Sequence, residues 1–371
     1  MDNNLYFYCI NVMTSRKDIT IYDIARVLKL APSTVSRGLK GHPAIRKDTA
    51  RRIKQTAASM GYQQNLFASN LRKNSSSTIG VILPRLDSKF QSLVVSGIEN
   101  VLNKHDYNLI ISQSRESYEK EKANVTTMYN SRVDGLLVSL ASSTRNIEHL
   151  DVFLNKGIPV VMFDRIMRHP SKEITSIIID NRKAGYLAVE HLIGQGCRRI
   201  MFVSDNLACY VYSERYKGYR QALKDHGLTA ARDWLFVTTL DEESGIRTVD
   251  RLLRLKTRPD AIFVANDTSA VSTMVRLKQV GIAVPGEIAV VGFNNVPVSR
   301  FVEPSLTTID YPGVEIGEVA ASTLIEILKS PGSVIPKTIV LDHRLIVRNS
   351  SLQSGLRPER PSLQEKAPVH T

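Results

Sequence analysis

The chain has 371 residues, 43% of them apolar, and carries 49 Lys and Arg against 36 Asp and Glu. That length and apolar share support two or three folded cores and exclude fibrous or wholly disordered classes. The formal charge of +13 points to a polyanionic partner, and its distribution says more than its size: 13 basic against 4 acidic residues lie in 1–78, 33 against 30 in 79–351, and 3 against 2 beyond. A small basic unit is joined to a larger, nearly balanced one.

No run reaches the roughly 20 apolar residues that cross a bilayer. The first apolar stretch, Leu5 to Val12, follows Asp2 rather than Lys or Arg and has no small-residue cleavage site, so it does not read as a secretion signal. Residues 1–18 are expected to be an extension outside the fold, with 1–12 owed to an upstream start codon or to a disordered extension, because Met13 lies six residues before Ile19. Cys9, Cys197 and Cys209 form no CxxC pair. They suit ordinary thiols in a reducing cytoplasm, and neither a metal nor a cofactor is expected.

Residues 19–63 read as three short helices. Ile24, Ala25, Val27 and Leu28 form the apolar face of the first. The second opens at Pro32, which has no N–H to lose at a first helical position, and buries Val35 and Leu39. The third starts near Lys47, with Ile53, Ala57 and Met60 on one stripe. Two short helices about three residues apart, backed by a third, predict a helix-turn-helix. Ser33, Ser36, Arg37 and Lys40 are its exposed positions on the second helix. Arg37 suits a guanine edge, and Lys40, Arg46, Lys47 and Arg51 suit phosphates; from charge alone, a solvated basic face on a helical cap explains them as well.

The segment Ile19–Arg37 (ITIYDIARVLKLAPSTVSR), followed by Gly41-His42-Pro43, Thr49 and Gly61-Tyr62, resembles the DNA-binding domain of the lactose-repressor (LacI/GalR) family, and the resemblance continues to about Ser350. It implies that Pro32, Ser33 and Arg37 face bases, and that Thr20, Tyr22 and Thr49 contact phosphates. Two positions depart from the family pattern. Lys29 stands where the turn usually has Gly, and Ala31 stands where a Ser usually caps the second helix. Each departure is expected to cost about 1 kcal/mol, so the domain should be of modest stability and steadied by DNA.

Residues 64–78 follow as a linker. Asn65 can cap a helix of about two turns, too short to hold alone, and Asn74 with Ser75–Ser77 makes a tether. The resemblance implies a hinge helix in the minor groove, with Asn65, Ala68 and Leu71 at the DNA and Leu71 as the wedge. Packing of Leu66, Phe67 and Leu71 on the next domain is the plainer alternative.

From 79 to 351, β-rich runs alternate with helical patterns, the mark of an α/β architecture. Strands are predicted at Ile79–Leu83, Asn108–Ser112, Gly135–Ser139, Pro159–Phe163, Arg199–Ser204, Asp260–Ala265 and Ile288–Phe293. Helices are predicted at Phe90–Lys104, Asn181–Ile193 and Asp267–Gln279. Nearly unbroken apolar strands such as AIFVA indicate parallel sheets covered on both faces. About a dozen strands are too many for one sheet here, so two lobes are expected.

The resemblance implies the two-lobed, type I periplasmic-binding-protein-like fold, with an N-lobe near 79–175 and 308–330 and a C-lobe near 176–305 and 336–351. Residues 352–371, rich in Pro and without periodicity, read as a disordered tail. The fold class expected is thus a small all-α helix-turn-helix domain followed by a two-lobed α/β core.

By the same resemblance, Phe90, Asp164, Arg165, Arg215, Asn266 and Asn294 line an effector cleft between the lobes. Plainer roles stand beside these: helix caps for Asp164 and Asp267, a surface ion pair for Arg215, a core position for Phe90. Asn294 replaces an Asp common in sugar-binding members, and Leu240 replaces an aromatic found in some. A sugar remains the default ligand, though an amide also accommodates other chemistry.

No GxxxxGK[ST], GxSxG, HExxH or complete GxGxxG is present, and Gly194–Arg199 comes before its strand, as a helix-to-strand turn does. An enzyme is not expected. The sequence therefore predicts a cytoplasmic, homodimeric transcriptional regulator, a repressor of a near-palindromic operator, under control of a small, carbohydrate-like effector. The runner-up is a transport solute-binding protein, which would need an export signal and no helix-turn-helix.

Overall fold

The computed structural model describes residues 19–62, 75–168, 174–330, 332 and 335–352. The expected extension, the hinge positions Asn65, Ala68 and Leu71, and all but the first residue of the expected tail lie outside the described residues. The chain divides into two compact units with the boundary between Ser76 and Ser77.

The first unit holds α1 (Ile21–Leu28), α2 (Pro32–Leu39) and α3 (Lys47–Ser59). Its core is Ile24, Ala25, Val35, Ile53 and Ala57, closed over by Ile21, Leu28, Leu39, Met60 and Tyr62. Val27 is a correction, because it is exposed. At about 100° per residue it falls off the arc shared by Ile24, Ala25 and Leu28. Gly38 lets α2 and α3 approach closely, since a Cβ there would lie 2.4 Å from Ile53 Cδ1 and the Ile53 tip would have to turn away.

Lys29 ends α1 with φ 54°, and Leu30 N–H then donates to Ala25 O at 3.0 Å. A lysine thus holds the left-handed turn that glycine adopts without strain. Ala31 precedes α2 without any side-chain cap. Lys29→Gly is expected to stabilise this domain by about 1 kcal/mol, read as a higher melting temperature of a fragment spanning 13–63. An unchanged or lower value contradicts the strain.

The second unit runs β1 (Thr78–Leu83), α4 (Lys89–Lys104), β2 (Asn108–Gln113), α5 (Tyr118–Asn130), β3 (Gly135–Val138), α6 (Asp151–Leu154), β4 (Val160–Phe163) and β5 (Thr175–Ile179). It continues with α7 (Asn181–Gly194), β6 (Ile200–Ser204), α8 (Tyr210–Asp225), β7 (Leu235–Val237), α9 (Ser244–Leu253), β8 (Ala261–Val264), α10 (Asp267–Gln279), β9 (Ala289–Phe293) and α11 (Val298–Phe301). β10 (Thr307–Asp310), α12 (Gly313–Lys329), β11 (Thr338–Leu341) and β12 (Arg344–Ile346) complete it.

The strands form two six-stranded sheets, ordered β11-β5-β4-β3-β1-β2 and β12-β10-β9-β8-β6-β7. Among the described residues, only the β10–β12 pair is antiparallel. The apolar strands are buried on both faces, as a parallel sheet between helix layers requires.

The chain leaves the first lobe after β5, returns after β10 and leaves again after β11. β5 and β11 therefore belong to the first sheet and β10 to the second, which differs from the lobe limits expected from sequence. An apolar run marks a strand, but not the sheet its partners come from. In each lobe two helices cross at facing glycines, Gly97 on Gly317 between α4 and α12, and Gly185 on Gly218 between α7 and α8.

Candidate functional site

Two surfaces carry the residues singled out by sequence. In the first unit, nine Lys and Arg stand against two Asp between residues 19 and 62. Ser33 and Arg37 project from α2, with Pro32 and Ser36 half-buried beside them and Lys40 exposed at its end. Tyr22 is 64% exposed on α1. Thr49 lies half-buried in the first turn of α3, after the exposed Arg46 and Lys47.

Not all of these groups are free. Thr20 caps α1, its N–H and hydroxyl both donating to Asp23 at 2.9 and 2.7 Å. Arg51 pairs with Asp48 at 3.3 Å. The first helix face thus holds its backbone by its own caps, while Arg37 and Lys40 have no ion-pair partner among the described residues.

In the second unit, a cleft of about 710 Å³ opens between the lobes at the carboxyl ends of the parallel strands. Phe90, Asp164, Arg165, Arg215, Asn266 and Asn294 all line it. The structure brings together what lies up to two hundred residues apart in sequence, and it divides the set by chemistry.

Asp164 follows β4 with φ 58°, a left-handed conformation that Asp tolerates better than most residues. It caps no helix. Its carboxylate accepts the Tyr311 hydroxyl at 2.8 Å, the Gln91 amide at 2.9 Å and the Ser139 hydroxyl at 3.4 Å. Burial pushes its carboxyl above the ordinary value, against the pull of Arg165, the Tyr311 hydroxyl and Arg215.

Arg215 is only 3% exposed and so is no surface ion pair. Its Nε donates to Asn181 Oδ1 and its Nη1 to Ala265 O, both at 2.9 Å, and its guanidinium lies 3.5 Å over the Phe293 ring. These contacts use part of the five-donor fork and hold the rest at the cleft. Phe90 stacks on Tyr311 with centroids 4.3 Å apart, so it is a core residue and a wall of the cleft at once.

Arg165 and Asn266 are more occupied than sequence suggested. Arg165 grips both Glu116 oxygens at 2.8 and 2.7 Å, and donates to Tyr212 OH at 3.2 Å across the lobes. Against burial, Arg165 and the Ser142 N–H hold the Glu116 carboxyl below its ordinary value. Asn266 caps α10 by accepting Ser269 N–H at 2.8 Å, and its own amide donates to Leu240 O at 3.0 Å. Leu240 thus supplies its carbonyl to the wall. Asn294 has φ 107° and gives its N–H to Ile309 O at 2.9 Å, which leaves its side chain at the cleft.

Asp267 is a correction, since Asn266 is the cap. Asp267 is fully buried and accepts Val296 N–H at 2.8 Å and Thr308 Oγ1 at 2.6 Å. Burial pushes its carboxyl from 3.8 up to about 7. The folded state then keeps a proton that the unfolded chain loses, so stability falls as pH rises from about 4 to about 7. Relative to Asp267→Asn, the native protein should lose up to about 1.4 kcal/mol per pH unit in that window. Urea unfolding at pH 5 and 7 checks it, and a pH-independent difference contradicts it.

Gln91, Glu116, Tyr212 and Tyr311 were missed. Each acts through a partner in a distant segment, and none carries a local motif; only the position of Gln91 beside Phe90 at a helix start was a usable signal.

Against known proteins, residues 20–65 match the description "Bacterial regulatory proteins, lacI family", and residues 189–351 match "Periplasmic binding protein-like domain". The catabolite control protein A of Priestia megaterium is 31% identical over 90% of this chain and 99% of its own length. The ribose operon repressor of Haemophilus influenzae is 28% identical over 89% and 98%. The lac repressor dimer bound to operator and an anti-inducer shares the fold with a TM-score of 0.79, at 23% identity over 91% of this chain and all of that one. A helix-turn-helix followed by two sheets in this strand order, with whole-length relatives of this kind, places the chain in the lacI family of bacterial regulatory proteins.

Proposed function

We propose that the protein is a cytoplasmic, dimeric repressor whose affinity for a near-palindromic operator is set by a small, sugar-like effector in the inter-lobe cleft. The carrying observation is the combination, in one chain, of Arg37, which has no ion-pair partner among the described residues, on an exposed α2 face with a cleft built by Asp164 of one lobe and Arg215 of the other. Pro32, Ser33 and Arg37 read bases; Thr20, Tyr22, Lys40 and Thr49 contact phosphates, and Ser36 supports them from the same helix. Asn65, Ala68 and Leu71, outside the described residues, form the minor-groove hinge. Two such units on a two-fold axis match two half-sites.

The cleft's residues hold an occupant from both lobes. A ligand that bridges Asp164 and Arg215 binds one lobe arrangement better than another, and that difference is the coupling free energy delivered to the DNA. The chain binds and switches; it does not catalyse. A transport solute-binding role is disfavoured by the helix-turn-helix, which such a protein has no use for.

The DNA assignment is tested with an operator selected from random duplexes and read by fluorescence anisotropy. Arg37→Ala should weaken operator binding by about 1–3 kcal/mol and leave non-specific DNA nearly unaffected. Equal losses on both would make Arg37 a phosphate contact only.

A further inference from the structure

The chain crosses between the lobes at three places. Asp180 joins β5 of the first sheet to α7 of the second lobe, Tyr311-Pro312 joins β10 to α12, and Asp342-His343 joins β11 to β12. β10 and β12 pair with each other, and Arg344, just after the third crossing, bonds Asp310, just before the second, at 3.2 Å. α7 packs against β12, which brings the Asp180 charge within range of His343.

His343 is half-buried as a residue, yet both of its ring nitrogens are closed off from solvent and neither has a hydrogen-bond partner. A neutral imidazole carries one donor and one acceptor. Leaving both unmade out of water is unfavourable, so this arrangement of the lobes carries a penalty at the crossing itself.

Three charged groups act on the ring: Asp180 and Lys183 from the start of α7, and Asp342 beside it in the chain. Burial disfavours the imidazolium most, and Lys183 adds to that, while Asp180 and Asp342 attract it; the net effect holds the imidazole below its ordinary value. Asp180 accepts the Lys183 N–H at 2.8 Å with Oδ1. Arg344, next to His343, is committed to Asp310.

Resting on the reading that the protein switches between two lobe arrangements, we infer that His343 is a proton-operated hinge residue, which on taking up a proton moves the lobes out of this arrangement into one where the imidazolium bonds Asp180. Rotation of one lobe on the other is absorbed at the crossings. A ring on one crossing and a carboxylate on another therefore change separation when the lobes move. The neutral ring makes no bond here, whereas the charged ring gains a charge-assisted bond there. A proton bound more tightly by one arrangement shifts the balance toward it. Because this arrangement holds the proton weakly, falling pH depopulates it.

Pulsed electron spin resonance reads the arrangement in the full-length, ligand-free protein. Labels are placed at Glu119→Cys and Lys224→Cys, one exposed site on each lobe, in a Cys9→Ser background with labelled chains diluted by unlabelled ones. Between about pH 8 and about pH 5.5, where an imidazole changes charge, the ratio of the two distance populations should change about tenfold, the effect of one pKa unit of difference between the arrangements. His343→Leu and His343→Gln, which do not titrate, should keep the alkaline distribution throughout. Asp180→Asn, which preserves a helix cap, should diminish the response. Asp267 titrates in the same range and is present in every variant, so the comparison cancels it. A native distribution that does not move, a shift that survives both His343 variants, or an undiminished response in Asp180→Asn overturns the inference. If the distances move while operator affinity, native relative to His343→Gln, stays constant over the same range, the hinge stands and the reading that lobe arrangement sets DNA affinity falls.

Discussion

Gly218→Val is expected to destabilise the second lobe by more than about 3 kcal/mol, beyond the usual range for an overpacked core. A Cβ at 218 would stand 2.0 Å from Arg182 O and 2.7 Å from Tyr186 N, and one at the facing Gly185 would stand 2.4 Å from Arg215 O. Those neighbours are backbone atoms, so neither helix can yield by turning a side chain. α7 and α8 must separate, and α8 carries Arg215. Gly194, with nothing within 4 Å of its Cβ position, is the control. Gly194→Ala should stay level or gain up to about 1 kcal/mol from better helix propensity. Urea unfolding reads both, and a Gly218→Val protein within 1 kcal/mol of the native one contradicts the packing.

Arg215→Met carries the second large effect, on ligand binding. The guanidinium is the one basic group in the cleft that is both buried and free of a carboxylate partner among the described residues. Methionine keeps much of its packing against Phe293 and removes the donors. Charge-assisted hydrogen bonds contribute about 1.5–3 kcal/mol, so effector affinity should fall roughly 10- to 150-fold. Loss of donors to Asn181 Oδ1 and Ala265 O should also lower stability by a smaller amount. Titration of the variant checks it, and an affinity within threefold of the native protein's removes Arg215 from the binding set.

The parts of the fold that were legible in the sequence are those decided by local pattern. The strands IGVIL, AIFVA and the run to Phe293 are apolar on both faces, and only a covered parallel sheet buries such a strand. Asp267–Gln279 is a helix over the residues its amphipathic pattern predicts, although the cap that starts it is Asn266 and not Asp267. The first helices were legible through Pro32 and the stripe of Ile53 and Ala57. Val27 departs from its pattern because an apolar residue next to a buried helix stripe is not itself buried unless it falls on the same arc.

What was not legible depends on contacts between distant segments. Asp164 looked like a ligand group or a cap, and only the fold shows it against Tyr311, 147 residues on. Nothing near Gly218 or Gly317 marks either as a helix crossing, since the requirement comes from the facing backbone. The lobe limits slipped for the same reason, with β5, β10 and β11 joining sheets that their own residues do not specify. Arg165 was seen as a ligand group by its place after a strand, whereas its bonds to Glu116 and Tyr212 make it a strap between lobes as much as a contact for an occupant.

The central claim is that occupancy of the cleft changes affinity for DNA. The direct measurement is the operator dissociation constant of the full-length protein, with and without saturating amounts of a ligand shown by titration to need Asp164 and Arg215. A coupling of about 1–3 kcal/mol, a change of roughly 5- to 150-fold in either direction, is predicted, and operator must shift ligand affinity by the same factor. A ligand that fills the cleft and leaves the operator dissociation constant unchanged would contradict the account.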